Sequence, residues 1–429
     1  MANSSRADAA KLIGPLQDKL RNLLQELVRT NSVAVLAGGD ETPAQRVLAE
    51  FLRQQSLKAE LYDTQFILKS GFAQVRRHKP YAGRKNLCVR LAGSGRGKSL
   101  LLSGHIDTVP AGEASWLRSP WSGEFQQGRV HGLGSFDMKG GLVANAAVVC
   151  ALHAAGIKTG GDILFESVVD EEWGGGGGTI AARLRGDTAD ACVIPEGTQL
   201  EIYRATRGGF VVDLIVEAGD PSSYFSNAEV VSPAMPIGRL LGWISSQAEA
   251  RAKIRSTGAY SSFPDPVPVQ VLAVESNRLD PQVPLSVPSR ATVRVYMQFL
   301  PEEEVDALIA GWKQELEEFA AGDPFFRKYP IRWAPLIGGP LYGHEVEEDH
   351  PWLQCLQNGA ASVRGVPPVT TAAPYPCDAG LIHRDFGIPT LLFGPCGAGA
   401  HNPNEYVEFD SVIRTAEVLL TAALEWTNA

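Results

Sequence analysis

The segment Ile163-Leu-Phe-Glu-Ser-Val-Val169 runs directly into three adjacent carboxylates, Asp170-Glu171-Glu172, and then into Trp173 and the glycine run Gly174 to Gly178. A short apolar run of this kind reads as a buried strand. Three acids at the end of such a strand repel one another unless a cation neutralises them, and oxygen-rich clusters hold divalent metals. A solvated turn is the alternative, and the hydrophobic strand ahead of it argues against that. The fold must therefore carry this acidic turn at the edge of a sheet.

Similar short apolar runs occur at Leu87–Leu91, Ser99–Ser103, Ala191–Ile194 and Thr390–Phe393, with helical stretches at Met138–His153 and Thr179–Leu184. Strands alternating with helices imply an α/β sandwich built on a mixed, mostly parallel sheet. Leu16, Leu20, Leu23, Leu24 and Leu27 recur at helical spacing behind Pro15, and Thr42-Pro43 opens a second helix through Leu52. The pattern changes after residue 204. A strand Gly209–Val216, a helix from Pro236 to Ile254, a strand Ala291–Phe299 and a helix Pro301–Ala320 follow. The alternating α/β pattern returns at Asp323-Pro324. At 429 residues the chain is too long for one ordinary core. The sequence predicts a discontinuous domain, residues 1–204 and 324–429, interrupted by an inserted α+β domain over 205–323.

Composition removes several functions. Thirty-nine basic against 48 acidic residues leave a net charge of -9, and no Lys/Arg cluster is present to track a nucleic-acid backbone. No apolar run approaches the roughly 18 uncharged residues of a membrane span, and the first ten residues lack the apolar core of a secretory leader. A cytoplasmic protein without nucleic-acid or membrane partners is expected. The six cysteines are scattered with no Cys-x-x-Cys pair, so reduced core thiols are expected rather than a thiolate metal site.

The remaining chemistry also sits at strand ends. Ser99–Ser103 leads to Gly104-His105-Ile-Asp107, where His105 and Asp107 share a strand face. A carboxylate that orients an imidazole is the usual support of a metal-bound His, although a structural His–Asp pair is the commoner case. Asp137 stands between glycines at an apparent helix start, where an N-cap is the bland reading. Ala191–Ile194 leads to Glu196, and Thr390–Phe393 leads to His401-Asn-Pro-Asn-Glu405. Together His105, Asp137, Glu172, Glu196 and His401 fall at one edge of an α/β sheet, where such folds place their sites. Two His and three carboxylates suit a pair of divalent ions sharing one bridging carboxylate.

Gly104-His-Ile-Asp-Thr-Val-Pro, Gly134-Ser-Phe-Asp-Met-Lys-Gly-Gly, Asp170-Glu-Glu, Pro195-Glu-Gly-Thr and His401-Asn-Pro-Asn-Glu-Tyr resemble, in order and spacing, the aminoacylase/acetylornithine deacetylase family of metallopeptidases. That family includes succinyl-diaminopimelate desuccinylase. The resemblance implies that Asp137 bridges two divalent ions, zinc by default with manganese or cobalt as alternatives. His105 and Glu196 would complete one site, and Glu172 and His401 the other. Asp107 would orient His105, and Glu171 would be the general base. It further implies a small-molecule substrate and a homodimer formed through the inserted lid.

Departures from the family pattern bear on the substrate. The lid His expected after the first lid strand is absent; Gly219-Asp-Pro-Ser-Ser-Tyr-Phe-Ser-Asn227 stands there, leaving Ser223, Tyr224 or Asn227 to donate a hydrogen bond. Gln298, Leu285 and Gly380 replace an Arg, an Asn and an Arg, and Arg204, Arg207 and Arg290 are the candidates to hold a substrate carboxylate instead. Trp116, Trp121 and Trp173 flank the motifs as candidate pocket walls. Deacylation of an amide is the leading expectation. The alternative is deamination or deformylation of an aromatic or heterocyclic amine by the same centre, and a catalytically silent binding protein is a third reading.

Overall fold

The computed structural model describes residues 2–76, 80–218, 231–276, 287–337 and 339–429, with side chains from residue 8 onward. Ser223, Tyr224, Asn227 and Leu285 lie outside the described residues. The chain divides into two units, residues 1–206 with 344–429, and residues 207–343.

In the first unit, Leu100, Leu102, Ile163, Phe165, Ala191, Val193 and Leu391 pack into one core, while Leu101, Leu164, Cys192, Ile194 and Leu392 pack into another. Successive strand residues point to opposite faces, so these runs are apolar throughout because both faces of the sheet are covered. The nine-stranded sheet runs His344–Glu345, Ile202–Thr206, Thr390–Leu392, Ala191–Ile194, Leu100–Leu102, Ile163–Ser167, Lys85–Leu91, Glu60–Asp63, and Thr370–Ala373 pairs beside Ile202–Thr206. The four strands from Thr390–Leu392 to Ile163–Ser167 are mutually parallel. Antiparallel strands flank them on both sides. The parallel strands therefore deliver their carboxyl ends to a single edge.

Helices Gln17–Arg29, Gly140–Ala154, Pro351–Arg364 and Phe409–Thr427 contribute to the first core. Among the described residues, Ser135–Ala154 is long and apolar enough to span a membrane, but 94% of its most apolar window is buried inside the protein. It is a core helix. Its regular part begins at Gly140 rather than Met138, because Ser135–Lys139 forms a tight turn in which Asp137 keeps a non-helical φ of -116° and ψ of 91°. A Cβ at Gly141 would fall 1.8 Å from the Pro195 carbonyl oxygen, so glycine is required for this helix to approach the Glu196 loop.

The second unit is a four-stranded antiparallel sheet ordered Val269–Glu275, Arg290–Phe299, Gly208–Glu217, Ile331–Pro335. Phe210, Val212, Leu214 and Val216 alternate into a core shared with helices Ile237–Arg251 and Val305–Gly322. On the other face Asp213 accepts 2.7 and 2.9 Å hydrogen bonds from Arg294, the one-sided pattern of an antiparallel sheet. This unit continues to Gly343 instead of ending at Asp323. Strand Ile331–Pro335 pairs with Val212–Val216, and Leu341 exchanges two backbone hydrogen bonds with Gly209.

Candidate metal centre

The first unit brings all five expected ligands together. Asp137 lies between two imidazoles: its Oδ1 is 3.3 Å from His105 Nε2 and its Oδ2 is 3.1 Å from His401 Nε2. Glu172 approaches His401 Nε2 at 3.0 Å, and Glu196 approaches His105 Nε2 at 3.8 Å. Asp137 does not cap the following helix; its carboxylate is spent on the two rings. Glu171 lies beside this group, with Oε2 at 3.9 Å from His105 Nε2.

Four carboxylates gathered in one partly buried site strain against their own charge. Burial, more than the opposing charge of His105, lifts Glu196 to about 8, and burial drives Glu171 well above the usual carboxylate range. Burial opposes protonation of His401, but hydrogen bonds to Asp137 and Glu172 overcome it and raise the ring to about 11. The site thus gathers positive charge onto its imidazoles, and a divalent cation answers the same demand more fully. The donor set fits such ions: one nitrogen of His105 and one oxygen each of Asp137 and Glu172 lie within 4.8 Å of one another, and the two oxygens of Asp137 serve separate imidazoles.

The supporting contacts differ from the sequence expectation in one respect. His105 Nδ1 is held at 3.0 Å by the backbone carbonyl of Asp107, while the Asp107 carboxylate stands 3.7 Å away. That carboxylate instead accepts the N–H groups of Glu171 and Glu172 at 3.2 and 3.1 Å. Beneath the same turn, Asp170 adopts a left-handed φ of 71°, and its carboxylate meets Arg76 at 3.0 Å and Arg84 at 3.3 Å. Arg84 also clasps buried Glu41, with Nε at 2.9 Å from Oε2. The three acids of the turn thus divide their work. Asp170 points inward to two guanidiniums, and Glu171 and Glu172 point to the site.

Two further residues escaped sequence reasoning. The Asp378 N–H donates to Glu171 Oε1 at 3.2 Å, and its side chain hydrogen-bonds Thr179. A Cβ at Gly175, where φ is +67°, would fall 1.9 Å from Asp378 Oδ1, which accounts for one member of the glycine run. Glu405 is buried and accepts N–H groups from the turn before Asp137. A lone Glu in a polar loop carries no signal of burial, so only its place in the His401 motif marked it. Of the proposed carboxylate clamps, Arg204 is occupied by Glu345 and Glu348, at 2.6 and 3.0 Å. Arg207 donates to Gln298 at 2.6 Å, and Arg290 is an exposed residue 3.9 Å from Glu217. Trp173 stacks with Arg76 and donates to the Ala34 carbonyl at 3.0 Å.

Known proteins resemble this chain in sequence and in fold. The profile of Peptidase family M20/M25/M40 matches residues 101–425. An N-formyl-4-amino-5-aminomethyl-2-methylpyrimidine deformylase of Halalkalibacterium halodurans is 27% identical over 348 residues, 77% of this chain and 80% of the relative. An acetylornithine deacetylase of Salmonella typhi is 26% identical over 355 residues, 80% of this chain and 84% of the relative. The crystal structure of a metallo-carboxypeptidase from Sulfolobus solfataricus superposes with a TM-score of 0.72 at 17% identity, over 94% of this chain and 98% of that one, and shares the fold. The chain belongs to Peptidase family M20/M25/M40, metallo-hydrolases that act on amide bonds.

Proposed function

We propose that this protein removes a small acyl group from the nitrogen of a small-molecule amine. The observation that carries the reading is the placement of Asp137 between His105 and His401, with Glu172, Glu196 and Glu171 around them. Asp137 would bridge two divalent ions, with His105 and Glu196 on one and His401 and Glu172 on the other. When bound, the ions supply positive charge that acidifies water and polarises an amide carbonyl. Zinc is the proposed metal, with manganese or cobalt suited to the same oxygen-rich set.

Glu171 is the proposed general base. Its Oε1 is fixed by the Asp378 N–H, which leaves Oε2 to take a proton from attacking water and return it to the departing nitrogen. Asp107 holds the backbone of Glu171 and Glu172, so the base and a ligand move as one piece.

Both named relatives take an acyl group off nitrogen, one a formyl and one an acetyl group. A second reading, deformylation of a heterocyclic amine, is supported by the deformylase relative and by Gln298 and Gly380 standing where arginines would hold a substrate carboxylate. Residues 207–343 are proposed as the lid and dimer-forming domain. The support for a dimer is a sheet edge: among the described residues Val269–Glu275 pairs on one side, and Val271, Leu272 and Val274 are 40%, 52% and 51% exposed. Six free cysteines suit a reducing, cytoplasmic setting.

The test measures bound metal and turnover of N-formyl, N-acetyl and N-succinyl amino acids and of formylated heterocyclic amines, in wild type and Glu171→Gln. We expect about two ions per chain in both proteins, and turnover of one acyl class that falls by about 10²- to 10⁴-fold in the variant. Metal-loaded protein inert toward every amide, or activity retained by Glu171→Gln, would overturn the reading.

A further inference from the structure

We propose that Glu405 is a positioning residue for Asp137, its buried carboxylate gathering the backbone amides of the turn that presents Asp137 to both imidazoles. The inference rests on the metal-hydrolase reading above.

Glu405 is 1% exposed. Its Oε2 accepts the Gly134 N–H at 2.7 Å, and its Oε1 accepts those of Phe136 and Asp137 at 2.7 and 2.9 Å. Its backbone carbonyl takes a fourth amide, that of Gly132, at 2.9 Å. These donors need an acceptor from elsewhere. The turn precedes the first regular helical residue, and Asp137 has non-helical dihedrals, so the following helix does not supply acceptors for them. Hydrogen bonds from backbone N–H to a carboxylate are among the stronger ones in proteins. Three of them on one side chain fix both the position and the tilt of the peptide bearing Asp137.

The origin of Glu405 matters as much as its contacts. It lies four residues beyond His401, whose Nε2 is 3.1 Å from Asp137 Oδ2. One short loop therefore supplies an imidazole and also sets the height of the carboxylate that imidazole meets. A change at Glu405 moves Asp137 relative to both rings without removing any ligand. A residue that merely closed the loop would affect stability and leave the ion sites as they were.

The experiment compares wild type with Glu405→Gln and Glu405→Ala as full-length, chelator-stripped proteins titrated with Zn²⁺ against a chromophoric competitor. A remote core variant, Val418→Ala, serves as the control for lost stability. We expect Zn²⁺ affinity to fall by about 10- to 100-fold in Glu405→Ala. Glu405→Gln, which keeps one acceptor oxygen, should lie between it and wild type. The visible spectrum of the Co²⁺-loaded variants should shift from that of wild type, and Val418→Ala should match wild type in both readouts. Should Glu405→Ala not fold, the nearly isosteric Glu405→Gln carries the comparison alone. Zn²⁺ affinities within twofold of wild type, or losses equal to those of Val418→Ala, overturn the proposal and leave the metal centre standing. A wild type that binds no Zn²⁺ overturns both.

Discussion

Asp107 accepts the backbone N–H of Glu172 at 3.1 Å while its carbonyl holds Nδ1 of His105 at 3.0 Å. One residue thereby fixes two of the residues proposed to hold metal, His105 and Glu172. Because the carboxylate also takes the Glu171 N–H at 3.2 Å, both of its oxygens face donors. Asp107→Asn would turn an NH₂ group toward one of those amides and set donor against donor. The expected result is a fall of about 10- to 100-fold in kcat or metal affinity with the circular dichroism spectrum retained. Kinetics at saturating metal and a metal titration check it. Unchanged values for both would show that the acidic turn holds its position unaided.

Arg84 carries a separate burden. It is 3% exposed and joins Glu41 to Asp170, both of which are fully buried. Arg84→Met would remove the guanidinium that meets Glu41 and one of the two that meet Asp170. Removing one partner of a buried pair typically costs about 3–5 kcal/mol, and urea unfolding of the two proteins measures it. A cost below about 1 kcal/mol would mean that water reaches these carboxylates on modest opening of the structure.

The gathering of these residues was legible in the sequence because four of the five, all but Asp137, follow an apolar strand, and a parallel sheet carries such ends to one edge. Its supports were not. Arg76, Arg84 and Glu41 are distant from Asp170 in sequence, and no local periodicity marks a contact made only in the folded chain. Glu405 and Asp378 were hidden for a related reason: Glu405 accepts backbone N–H groups and Asp378 offers its own to Glu171, and a backbone N–H carries no signal in the sequence. The end of the second unit was misplaced because Ile331–Pro335 is an edge strand with partly exposed faces, which gives a weak apolar signal. The Gly174–Gly178 run was plain as composition, but its cause at Gly175, the approach of Asp378, is tertiary.

His344 ties acid sensitivity to a residue outside the centre. Burial and the neighbouring His383 ring, with centroids 5.0 Å apart, push its pKa down to about 3 from 6.5. Its Nε2–H donates to the Thr390 carbonyl at 2.8 Å, and Nδ1 accepts the Thr206 hydroxyl at 2.9 Å, so the neutral ring is fully used. The unfolded chain binds a proton at this residue below about 6.5 while the folded protein does not. Its contribution to stability is therefore complete above pH 6.5 and drains as the pH falls toward about 3. The slope approaches about 1.4 kcal/mol per pH unit. Urea midpoints at pH 7, about 5.5 and about 4.5 should converge between wild type and His344→Gln as the pH falls. Parallel curves would refute the assignment.

The open edge at Val269–Glu275 makes the last prediction. An edge strand that pairs on one side only among the described residues, with exposed Val271, Leu272 and Val274, is a template for another chain, and natural edges blunt that tendency with charge. Here the described strand has only Glu275, at its end. A second copy adding along this edge would pair its backbone groups and cover the apolar side chains together. Leu272→Lys with Val274→Lys would place like charges from both copies side by side at such a junction. Sedimentation velocity is expected to show a wild-type dimer and a monomeric double variant, with unfolding midpoints of the isolated chains alike because both sites are half exposed or more. A double variant that stays dimeric would move the interface away from this strand, and a monomeric wild type would remove the dimer altogether.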